Sequence, residues 1–119
     1  MTKIEALTAL LAKVEAGDHS AYINGFAASA FPPESAGGHC TFHDVGKAFQ
    51  GSLDAAKALH DAVIHAAVEA TIVWSVRYGA TVKLFHAMTG LFVSGKADNP
   101  ARAWLIAILK ALIAMEEDQ

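Results

Sequence analysis

With a single cysteine, Cys40, among 119 residues, this chain has no internal disulfide. Its fold must rest on burial alone, which fits a reducing compartment. Positive charge is thin and dispersed. Nine Lys and Arg stand against twelve Asp and Glu, a formal net charge of −3, and no basic tract occurs. Counterion release along a nucleic-acid backbone needs clustered cations, so duplex DNA or RNA is not an expected partner. His65, Glu69, Arg77, Lys83 and Lys96 interrupt every candidate apolar run. No stretch reaches the roughly 18 residues of a transmembrane helix, and no membrane span is expected. The opening Met1-Thr-Lys-Ile-Glu-Ala-Leu7 lacks a long apolar h-region, so no signal peptide is expected and a cytoplasmic location is the reading. A nucleophile elbow, a phosphate loop and a dinucleotide fingerprint are all missing, and Gly37-Gly38 is not followed by Lys-Ser/Thr.

What is present is apolar. Hydrophobic residues make up 54% of the chain and charged residues 18%, with a mean hydropathy of +0.33. About a quarter charged is usual for a small soluble domain. Either the core is rich in alanine or another chain covers part of the surface. The length fits one domain over residues 1–119, with 18–50 the loop-rich part.

Periodicity supplies the elements. Thr2 and Glu5 have capping-box spacing, and Ile4, Leu7, Leu11 and Val14 recur at helical intervals until Gly17, predicting a helix over 3–16. Pro32-Pro33 and Ser35-Ala-Gly-Gly38 punctuate the next stretch, and 39–45 reads as a short strand. Ser52 is a good N-cap for a helix that stays amphipathic to about residue 67. Its apolar face holds Leu53, Ala56, Leu59, His60, Val63 and Ile64, and its wet face holds Asp54, Lys57 and Asp61. The period then changes to two, giving strands over 72–78, 81–88 and 91–94 with turns at Gly79-Ala80 and Thr89-Gly90. Asn99 and Pro100 start a last helix whose apolar residues cover more than half its circumference, with Arg102 and Lys110 marking the wet side. Acids 116–118 oppose its dipole and predict a frayed end. The fold class is α+β: a three-stranded antiparallel meander packed against N-terminal, central and C-terminal helices. Because the last helix is apolar beyond one layer's needs, a homo-oligomer is expected, with Trp104, Ile106 and Ile113 at the interface.

Two motifs stand out: Gly51-Ser-Leu-Asp-Ala-Ala-Lys57 and Asp98-Asn-Pro-Ala-Arg-Ala-Trp-Leu105. Together with the opening Ile4-Glu-Ala-Leu-Thr-Ala-Leu-Leu11, they resemble a family of small phage and prophage proteins that carry a Ser-Leu-Asp-Ala-Ala helix start and a Pro-Ala-Arg-Ala helix near the C-terminus. The resemblance covers about half the chain. It implies a phage-encoded accessory protein in a bacterial cytoplasm, with a host defence protein as a reasonable target, and it carries no established activity. This chain departs from the pattern after Val63, running on as Ile64-His-Ala-Ala-Val-Glu-Ala70 where the family has a Pro-Gly-Trp-like break.

His39, Cys40, His43 and Asp44 are the one cluster of metal-ligand types, but a zinc site needs three or four convergent donors and the surrounding glycines read as a polar loop, so no metal or cofactor is expected. His60 and His86 fall on apolar faces and read as core histidines satisfied by backbone carbonyls. Of Trp74, Arg77, Tyr78 and Phe85, at least half should be structural, since one sheet face must be core. No residue pattern places a nucleophile beside a base, so catalysis is not expected. The leading reading is a non-enzymatic interaction protein. The alternative is a binder of a small ligand such as a signalling nucleotide, with Arg77, Lys83 and Lys96 as phosphate donors.

Overall fold

The computed structural model describes residues 3–17, 45, 47–64 and 68–117. Helix α1 spans Lys3–Glu15, α2 Leu53–Val63 and α3 Pro100–Glu117; strands β1, β2 and β3 span Glu69–Ser75, Gly79–His86 and Leu91–Ala97. The strands form an antiparallel sheet in the order β1-β2-β3. The expected α+β meander with N-terminal, central and C-terminal helices is therefore the observed architecture.

The caps explain the helix starts. Ser52 Oγ accepts from the Ala55 amide at 3.2 Å, and Asn99 Oδ1 accepts from the Arg102 amide at 2.8 Å, satisfying amides that have no partner within their own helix. Gly17, at φ +69°, ends α1 with its amide on the Val14 carbonyl. Thr2 of the predicted capping box lies outside the described residues. Helix α2 stops earlier than the amphipathic pattern predicts. Ile64 turns to an extended conformation (φ −107°, ψ 139°) while its amide still reaches the His60 carbonyl at 2.8 Å. Ile64 and Val68 are both buried in the core. The α2 face is also rotated: Ala55 is buried and Leu53 exposed. The acid-rich end of α3 remains helical to Glu117.

Both turns are set by side chains. Ser75 Oγ accepts from the Arg77 and Tyr78 amides at 3.2 and 3.4 Å, so the first turn is 76–78 and Gly79 already opens β2. In the second turn, His86 Nδ1 accepts from the Met88 and Thr89 amides, both at 3.2 Å. His86 thus organises a turn; it is not the core histidine expected.

Helix α3 is the hub. It packs on β2 and β3 and, around the rest of its circumference, on α1 and α2. Ala101, Ala103, Leu105 through Leu109, Ala111 and Leu112 are all buried. The two-sided burial expected of this helix is satisfied largely within one chain. Close approach to β3 depends on Gly95. A Cβ there would run into the Ala103 carbonyl oxygen and come within 2.5 Å of the Ala107 nitrogen. Gly95 does not end the strand as a breaker would, and β3 runs on to Ala97, past the expected limit at Ser94.

Residues 47–49, assigned to the loop-rich stretch, are helical, and Val45, Ala48 and Phe49 are buried. Arg102 is not on a wet side. Its guanidinium lies 4.3 Å from the centre of the Phe49 ring, and its Nε and Nη2 donate to the Phe49 carbonyl at 3.1 and 3.0 Å. It fastens that helical turn to the start of α3 by a charge-assisted bond pair.

Candidate interaction surface

The register assigns each strand residue to a face. Ala80, Val82 and Leu84 of β2, with Val93, Gly95 and Ala97 of β3, point toward α3. Ala70, Ile72 and Trp74 of β1 share that face, paired with Leu84, Val82 and Ala80. They are nonetheless exposed, Trp74 by 64%. The cause is width. A helix with its side chains is about 10–12 Å across, and strands lie about 4.8 Å apart, so one helix covers two strands. Helix α3 covers β2 and β3, and β1 overhangs.

No described helix packs on the other face of the sheet. It carries Glu69, Thr71 and Val73 from β1, Thr81, Lys83 and Phe85 from β2, and Phe92, Ser94 and Lys96 from β3. Phe85 and Phe92 are cross-strand partners whose rings meet edge to face at 6.5 Å. Phe92 remains 60% exposed and Val73 58%. The two rings form an exposed aromatic pair rimmed by Glu69, Lys83 and Ser94, and Val73 lies apart from them across Thr71 and Lys83; aromatic residues exposed in this way are typical anchors of interaction surfaces. Four residues from which at least two core members were expected, Trp74, Arg77, Tyr78 and Phe85, are all exposed; the overhang of β1 and the open outer face explain why.

Lys83 and Lys96 both stand on this open face. Lys83 pairs with Ser94 and Lys96 with Thr81, so the two lysines are diagonal neighbours. Arg77 is apart from them, on the 76–78 turn, with its guanidinium 5.5 Å from the Tyr78 ring centre. Lys96 also borders a shallow cleft of about 200 Å³ between the end of α1 and the β3–α3 junction, lined by Glu15, Gly17, Asp98, Arg102 and Ile106 among others. That is smaller than the roughly 300–1,000 Å³ usual for small-molecule sites. Neither Arg77 nor Lys83 lines it.

Of the residues expected at an interface on α3, Ile106 is 2% exposed and packs against Gly95. Trp104 is half-buried, and its Nε1–H donates to His60 Nδ1 at 3.2 Å. Ile113 is partly buried against the core. The helix keeps little of its apolar surface for a neighbour, and the sheet keeps much more.

His60, 9% exposed, is the one polar residue of the described core. Its partner is the Trp104 indole and not the expected backbone carbonyl. Since Nδ1 accepts, the neutral ring carries its proton on Nε2. Burial is the main cause holding its pKa below the ordinary value; Asp61 opposes that shift and Lys57 adds to it. Lys57 and Asp61 form an exposed ion pair at 2.7 Å.

Among the described residues, no group of three or more His, Cys, Asp or Glu is placed to hold a metal ion, and no helix is long and apolar enough to cross a membrane. His39, Cys40, His43 and Asp44 lie outside the described residues. No protein-family model matches this chain, and no curated protein or solved structure does either.

Proposed function

We propose that this chain is a non-enzymatic binding protein that engages another protein through the open face of its sheet. The observation that carries the reading is the exposed Phe85–Phe92 pair beside Lys83, with Val73 and Lys96 two rows further along the same uncovered face. The composition of this face suits a partner with apolar anchors and acidic groups around them, because two lysines outnumber the single Glu69 on it. Resemblance to small phage proteins supports a phage-encoded accessory role, a bacterial cytoplasm as the setting and a host defence protein as the target.

The test compares the wild-type chain with Phe85→Asp and Phe92→Asp as baits in bacterial lysate, with melting temperature as the control for folding. The expected result is a captured protein that both variants lose while melting within a few degrees of wild type. Identical capture by all three baits would remove the open face from the reading. A small anionic ligand is the second reading, supported by the diagonal placement of Lys83 and Lys96. It predicts a thermal shift with a phosphorylated nucleotide that Lys83→Ala and Lys96→Ala each reduce.

A further inference from the structure

We infer that β1 is the contact strand of a symmetric dimer: a second copy of this chain lays its own β1 antiparallel along the first, and the two three-stranded sheets become one. This goes beyond the open-face reading, which uses Phe85 and Phe92 and stands whether or not the copies pair.

Among the described strands, the order leaves β1 at an edge. Over its seven residues, roughly 23 Å of chain, it pairs with β2 without interruption from Glu69 to Ser75. Natural edge strands are usually blunted by a proline, a bulge, a lysine or a covering helix. Among the described residues, strand β1 has none of these: its sequence is Glu-Ala-Thr-Ile-Val-Trp-Ser, its register has no bulge, no described helix covers its edge, and every residue through Trp74 is exposed. Edge pairing would satisfy the outward backbone groups, and the overhanging Ala70, Ile72 and Trp74 would gain the cover that α3 does not give.

The sequence is also complementary to itself. A two-fold axis through Val73 sets Ile72 of one copy against Trp74 of the other, twice, and Thr71 against Ser75, twice. It places Glu69 at the end of the second copy's β1, just beyond which Arg77 stands on the 76–78 turn, at both ends. Glu69 and Arg77 are the only charged residues from Glu69 through Tyr78, and among the described residues neither has an ion-pair partner in its own chain. An axis one residue earlier, through Ile72, sets Glu69 against Ser75 and Ala70 against Trp74, and so loses both Ile72–Trp74 pairs. The two Ile72–Trp74 pairs therefore select the Val73 register, and the opposite charges at each end add to it.

Sedimentation equilibrium of the full chain, up to about 200 µM, reads this directly. The expected mass rises from 12.5 kDa toward twice that value. Trp74→Lys, at an exposed position, weakens the dimer by about 30-fold or more, as loss of an aromatic anchor does, while circular dichroism shows the fold retained. Glu69→Arg and Arg77→Glu each weaken it by about fivefold, and the double exchange restores it. Phe92→Lys leaves the mass unchanged. A chain that stays at 12.5 kDa throughout overturns the inference, as does a dimer indifferent to Trp74→Lys. A dimer lost on Phe92→Lys places the contact on the open face instead. Failure of the charge exchange to restore the dimer overturns the Val73 register.

Discussion

The two edges of one small sheet have opposite surroundings. Strand β3 lies so close under α3 that Gly95 has no room for a side chain. Strand β1, two positions across the same sheet, is exposed through Trp74 on both faces. Their compositions do not predict this, since each has four apolar residues in seven. Geometry decides: one helix spans two strands. Apolar content thus shows where a protein wants contact, and packing geometry decides whether its own chain supplies it.

The sharpest way to break the contrast is at Gly95. Gly95→Ala pushes a Cβ into the α3 backbone and should cost about 3 kcal/mol or more, because a backbone cannot swing aside as a side chain does. Urea unfolding measures it; a loss below about 0.5 kcal/mol, the range of ordinary surface changes, would mean that α3 does not approach β3 as described. Next is the one polar contact of the core. Trp104→Phe removes the donor to His60 and leaves a buried Nδ1 without its bond, at about 1–3 kcal/mol in the same measurement.

A smaller effect follows from acidity. Burial lowers the His60 pKa in the folded chain, so between that value and the unfolded value of about 6.5 the unfolded chain binds more protons. The contribution of neutral His60 is complete above about pH 6.5, declines as pH falls through that window, and levels off below the folded pKa. His60→Gln should flatten the slope of stability between about pH 7 and 5; an unchanged slope would assign it to the carboxylates. Smallest of all is Trp74→Ser. At a concentration low enough to keep the chain monomeric, it should move stability by no more than about 0.5 kcal/mol, although it removes the largest side chain in β1.

Much of this architecture is legible in the residues. Ser52 and Asn99 announce their helices, and the change of period after α2 announces the meander. What periodicity cannot convey is width. Alternation along 72–78 says that two faces differ, and it led to the expectation that some of Trp74, Tyr78 and Phe85 would be core; only the lateral position of α3 shows that none is. Arg102 failed for a related reason. A helical wheel puts it opposite the apolar stripe, but the carbonyl it holds belongs to Phe49, 53 residues away. The shift of the first turn was within reach, because Ser75 offered a hydroxyl to amides two and three residues on. Of the cations proposed as one group, Lys83 and Lys96 meet because strand register joins them, whereas Arg77 sits beyond the end of β1, where register no longer applies.

The partnership of α1 with α3 carries a consequence in time. Among the described elements, α1 packs chiefly on α3, and its stripe of Leu7, Leu10 and Val14 is fully buried once the fold is complete. Synthesis proceeds at about 5–20 residues per second, so roughly 100 residues separate α1 from its neighbour by roughly 5 to 20 s. Throughout that interval α3 cannot cover the stripe, and α1 waits for the helix on which it packs.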